Sequence, residues 1–158
     1  MRKLVVAFAL TLLGCPGSDP GGSSCEDYSP PAGFDAQSPK VGFAADVAPI
    51  FKQSCAFSTC HGASTGTANG VYLGSDTARV HTGLVSNKAT ELPTMPLVTP
   101  GDPRNSYLMR KIDGSQCALD AQCTGGLCQD SMPKAQDKLP VETRDVVRRW
   151  IAQGAKND

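Results

Sequence analysis

The chain has 158 residues, 40% of them hydrophobic, with 15 Lys and Arg against 15 Asp and Glu and a formal net charge of zero. It has no long basic run, no aromatic platform among basic residues and no Gly-rich phosphate loop, so it offers nucleic acid no footing, and no fixed period marks a solenoid. Its 16 Gly and 12 Pro point to long connections, and its seven Cys point to a compartment that tolerates oxidation.

From the amino end, Arg2 and Lys3 followed by the apolar run Leu4 to Leu13 read as an export address. The run is too short to span a bilayer. It ends at Leu12, Leu13, Gly14 and Cys15, which resembles the lipobox of bacterial lipoproteins. That resemblance implies a signal peptide over residues 1–14 and acylation of Cys15, whereas an ordinary signal peptide cut nearby would discard Cys15. Both export the protein, and the first anchors it in the cell envelope, facing the periplasm or the exterior. Pro16 to about Lys40 is rich in Gly, Pro, Ser and Asp, so residues 15–40 are expected to be a flexible lipid-anchored tether. Residues 41–156 then suffice for one modest core.

Four helices are expected in that domain. The first runs from about Ala45 to Ser54, with Val47, Ile50, Phe51 and Cys55 on one face. The second begins at Ser75 or Asp76, either of which can cap it, and carries Val80, Leu84 and Val85. In the third, Asp102 caps and Pro103 takes the first helical position; Tyr107, Leu108 and Ile112 line a face before Gly114 stops it. The last runs from about Val141 to Gln153 with Val146, Val147, Trp150 and Ile151 as its stripe and Gly154 as terminator. No segment alternates apolar and polar residues long enough for a sizeable sheet. Loops this long need something other than side chains to organise them, and a prosthetic group would do so.

At the end of the first helix, Cys55-Ala-Phe-Ser-Thr-Cys60-His61 brings together two thiols and an imidazole. The thiols can add to the two vinyl groups of haem, and the histidine directly after the second can donate a nitrogen to the iron. The usual spacing has two residues between the cysteines and this chain has four; a longer segment can bulge while the sulfurs keep their separation. The alternative is a local Cys55–Cys60 disulfide beside a surface histidine. Zinc would need a fourth ligand, and the remaining cysteines are not closely paired.

Three stretches in order resemble the monohaem cytochrome c domains of bacterial envelope lipoproteins, of a kind common in myxobacteria. They are Asp46 to Cys55 continuing to Cys60-His61-Gly62, Val98 to Leu108, and Met132-Pro133 with Leu139 and Arg149 to Ala155. The resemblance implies an all-α, small cytochrome c-like fold with long loops around one covalently bound haem. Its first and last helices would cross, with Phe51 facing Trp150 or Ile151.

A second axial ligand is expected from Met132, which Pro133 keeps out of helical geometry and which precedes the last helix as the family's ligand does. Met95, also followed by Pro, and His81 remain alternatives, while Met109 lies within the third helix. Between that helix and Met132 lies an insert over residues 114–131 that carries Cys117, Cys123 and Cys128. With Cys25 these allow three pairings, and a Cys25 bond would pin the tether to the domain. The insert is expected to stiffen the Met132 loop through two disulfides; a partner-docking knob is the alternative.

The expected function is one-electron transfer by a haem c iron held by His61 and Met132, with Cys55 and Cys60 attaching the haem and an unknown redox protein as partner. No residue is needed as a general acid or base, so the chain is expected to be a carrier and not a catalyst. Two rivals stand: a haem enzyme or sensor with an open sixth site, and a haem-less structural or binding domain closed by a Cys55–Cys60 disulfide.

Overall fold

Apolar spacing becomes four α-helices in the computed structural model, which describes residues 25–158: α1 (Ala48–Ser54), α2 (Thr77–Ser86), α3 (Tyr107–Asp113) and α4 (Val141–Ala152). The turn Phe43–Val47 is wound as a π-helix and runs straight into α1. Short 3-10 segments cover Ala68–Gly70, Gln116–Gln122 and Thr124–Gly126. Among the described residues there is no strand, only an isolated bridge between Lys88 and Pro96, so the protein is helical. The signal peptide over residues 1–14, Cys15 and the first part of the expected tether lie outside the described residues. No described helix is long and apolar enough to cross a membrane.

The helix ends follow from local chemistry. Asp76 caps α2 by accepting the Arg79 amide at 3.0 Å. Gly114 terminates α3 in the left-handed region, with φ of 69°. The amino end of α3 differs from expectation. Asp102 accepts the amide of Asn105 at 3.1 Å and its side-chain amide at 2.6 Å, so residues 102–105 fold as a turn and α3 begins only at Tyr107. An Asp-Pro pair can open a helix or a turn, and here the second asparagine partner decides for the turn.

The core forms where the two ends of the chain meet. Phe43 and Val47 of the π-helical turn pack with Val147, Trp150 and Ile151 of α4, all of them fully buried. The Phe43 and Trp150 rings lie 5.1 Å apart, and His81 stands edge-on to Phe43 at 5.1 Å. The aromatic contact expected of Phe51 is therefore made by Phe43. Phe51 shares the same core, but its ring lines the cavity described below.

Residues 25–40 are not a loose tether but a strap bound to the helical body. Cys25 is disulfide-bonded to Cys117, and Asp27 pairs with Arg104 and Arg110. Tyr28 is buried, its phenol oxygen accepting from Nε of Arg148 at 2.9 Å. Farther along, Gln153 donates to the carbonyls of Ala36 and Pro39, and Arg149 to that of Asp35. The correction has a physical reason. Low apolar content predicts disorder only when a segment must hold itself by burial, and this one is held by a covalent bond, ion pairs and its own carbonyls.

Candidate functional site

The end of α1 sets up the site. The amides of Cys55 and Ala56 both donate to the Phe51 carbonyl, at 2.8 and 3.0 Å, which closes the helix. The spacer then curls back on itself. The amides of Cys60 and Gly62 donate to the Phe57 carbonyl, each at 2.9 Å, and the His61 amide donates to the Cys55 carbonyl at 3.3 Å. Residue 62 must be glycine for this curl, because a Cβ there would lie 2.1 Å from the Ala56 carbonyl oxygen. The wide spacing thus becomes a compact loop with its ends bonded together.

Cys55 and Cys60 are free thiols, whereas the other described cysteines are paired as Cys25–Cys117 and Cys123–Cys128. That pairing settles the three-way choice open in the sequence, and it confirms the bond between the amino-terminal segment and the insert. Two disulfides fit an oxidising, extracytoplasmic setting. Burial pushes the Cys55 thiol up to about 11, with the neighbouring Cys60 adding to the effect, so Cys55 is protonated at neutral pH.

The imidazole of His61 is committed on one side. Its Nδ1 lies 2.9 Å from the Val71 carbonyl oxygen, an acceptor that requires the proton on Nδ1. Nε2 then carries a lone pair and is the nitrogen left to act as a ligand. Residues 68–73 hold this arrangement through two further bonds, from the Ala68 amide to the Cys60 carbonyl at 3.0 Å and from the Leu73 amide to the His61 carbonyl at 2.8 Å.

Cys55, Cys60 and His61 open onto a cavity of about 330 Å³ whose wall also contains Met132. Phe51, Leu73, Leu84, Leu97, Leu108 and Ile112 make it predominantly apolar, and Phe57 stands half-exposed at its edge. The rival ligands are elsewhere. Met109 is fully buried in the main core, and Met95 packs against a satellite core around Leu92 and Tyr107. His81 bonds through Nε2 to the Ala155 carbonyl at 2.8 Å and belongs to the Phe43–Trp150 cluster, so it is packed and not solvated as an isolated helix-face histidine would be. Among the described residues no three His, Cys, Asp or Glu side chains group so as to hold a metal ion on their own.

The cavity wall also contains a polar cluster that no sequence pattern signalled. The Glu91 carboxylate accepts from Lys111 Nζ at 2.9 Å, from Asn69 at 3.0 Å and from the Tyr107 hydroxyl in a short bond. Lys111 also donates to the Cys128 carbonyl at 2.8 Å. Burial and the adjacent Glu91 hold the Tyr107 phenol above its ordinary range, so it remains a hydrogen-bond donor. These residues are isolated in sequence, and only the fold brings them together.

No family model matches this chain, nor does any curated protein or solved structure.

Proposed function

We propose that the cavity is the seat of one covalently attached haem c and that the protein is a one-electron carrier of the bacterial envelope with a cytochrome c-like fold. One observation carries the reading. One predominantly apolar cavity has in its wall two unpaired thiols, an imidazole whose Nδ1 is already engaged, and a thioether, while Met95, Met109 and His81 are not among its lining residues.

The residues present fit the group. Each protonated thiol can add across a vinyl double bond, sulfur to one carbon and hydrogen to the other, with no external oxidant or reductant. The engaged Nδ1 leaves Nε2 of His61 as the nitrogen that would hold the iron, and the Val71 carbonyl fixes the ring's orientation. Met132 supplies a soft sulfur that favours the reduced metal. Bound here, the iron would cycle between ferric and ferrous states while its ligands stay in place. With the group bound, the leucine side chains of the wall would limit water at the iron and so reduce reorganisation around the changing charge. Lipidation at Cys15 would keep the carrier at a membrane, within reach of a redox partner protein.

The test is expression of the full chain with the cytochrome maturation machinery, followed by intact-mass measurement and haem staining of a denaturing gel. The reading requires the added mass of one haem. Bare polypeptide mass with Cys55 joined to Cys60 would overturn it. Carbon monoxide binding to the reduced haem protein would instead point to an open sixth site and an enzyme or sensor.

A further inference from the structure

We infer that Lys111 is a positioning residue which, with the Cys123–Cys128 disulfide, holds the Met132 thioether in the cavity wall; this rests on the haem reading above. Lys111 sits in the last turn of α3, where helix carbonyls lack intrahelical partners. Its own carbonyl accepts the Met132 amide at 2.9 Å, so the backbone of the ligand loop hangs directly on this residue. Its side chain is almost wholly buried, its ammonium bonded to Glu91 at 2.9 Å and to the Cys128 carbonyl at 2.8 Å.

A buried ammonium holds its place only while its partners do. Both partners are fixed independently. Cys128 is tied covalently to Cys123, and its amide donates to the Asp120 carboxylate at 2.7 Å. The Glu91 carbonyl accepts the Thr124 amide at 2.8 Å, so the small disulfide-closed loop also seats on the Glu91 segment. The insert is thus more than a stiffener of its own loop: it forms a socket for the Lys111 ammonium, and Lys111 passes that fixed position through its backbone to Met132. Beyond this bond, Met132 is followed at once by a Pro that offers no amide, so the loop has little other backbone hold on α3.

The haem-loaded full chain tests this through the sulfur-to-ferric-iron absorption band at the red end of the visible spectrum, with intact mass reporting haem attachment and far-ultraviolet circular dichroism reporting helix content. Lys111→Leu should lose more than half of the band while keeping the haem, and should let the reduced protein bind carbon monoxide. Lys111→Arg should restore the band. The double variant C123S/C128S leaves the ion pair's own side chains intact and should also weaken the band, which guards against a Lys111→Leu chain that fails to fold. A full band in the leucine variant or in the double variant would overturn the inference. A haem-bearing parent chain without the band would overturn it while leaving the haem reading in place, and a parent chain without haem would overturn both.

Discussion

Removing each disulfide separately tests how the strap is held, because the two bonds close loops of very different size. Cys25 and Cys117 are separated by 92 positions and Cys123 and Cys128 by five. If a cross-link acts mainly by restricting the unfolded chain, the long loop is worth about 4.6 kcal/mol and the short one about 2 kcal/mol. The Cys123–Cys128 bond also seats the Cys128 carbonyl against the Lys111 ammonium, and loosening that contact narrows the gap without closing it. With Cys25 freed, Tyr28 remains buried against Arg148 and Asp27 remains paired with Arg110, so the strap keeps its other attachments. Urea unfolding of C25S/C117S and C123S/C128S beside the parent chain should therefore show the first losing about 2 to 3 kcal/mol more than the second. The slope against urea should also rise more in C25S/C117S, since its unfolded chain expands further. Equal losses, or a larger loss from the short loop, would refute the reasoning and make native-state contacts of Cys123–Cys128 the greater contribution.

Three other perturbations follow from the geometry. Trp150→Ala should cost about 3 to 5 kcal/mol in urea unfolding, because a fully buried ring against Phe43 is lost while the exposed Lys156 carbonyl it bonds can turn to water; a loss under half a kcal/mol would contradict the packing. Gly62→Ala places a methyl 2.1 Å from a carbonyl oxygen and should cut haem attachment by more than half in intact-mass spectra. Gly74→Ala meets first the outer end of the Tyr72 side chain, which does not line the cavity, and should leave attachment unchanged. In the haem-free chain, iodoacetamide should label Cys55 slowly until the pH approaches 11, and stability should fall as pH rises from 9 to 11, since the unfolded thiol ionises first and the unfolded state then binds fewer protons than the folded one.

What could be read from the sequence is what depends on near neighbours. The apolar spacing of Val146, Val147, Trp150 and Ile151 foretells α4, Asp76 foretells the start of α2, and Gly114 foretells the end of α3. Cys55, Cys60 and His61 are legible because their chemistry is written within seven consecutive residues. The strap is not, because its anchors lie at the far end of the chain: Gln153 for Ala36 and Pro39, Arg148 for Tyr28. The Glu91, Tyr107 and Lys111 cluster is hidden for the same reason. Each is an unremarkable polar residue until the insert folds over it, and composition treats a future ion pair and a solvated surface alike. Phe43 is not legible as a core residue because it precedes the expected start of the first helix, where a π-helical turn extends the apolar face backwards.

The six described cysteines fall into two sets. Four are used in bonds that fasten the strap and the insert, and two remain as unpaired thiols in the cavity wall. Neighbouring free thiols do not persist in an oxidising compartment, where exchange with other disulfides joins them. In such a compartment Cys55 and Cys60 would be captured as thioethers or become a disulfide, and the two fates leave different masses. A chain with haem attached has no titratable thiol and carries the macrocycle's mass, whereas an oxidised chain has no titratable thiol and weighs two hydrogens less for its extra bond. Chain made in a reducing compartment and unfolded without reductant should show the Cys55 and Cys60 thiols beyond any contributed by Cys15 and by the four cysteines that pair. Thiol titration combined with intact mass on envelope-derived protein should find the first pattern. A persistent pair of reactive thiols in that material would show that neither capture occurs, and that the cavity protects Cys55 and Cys60 for some purpose other than holding haem.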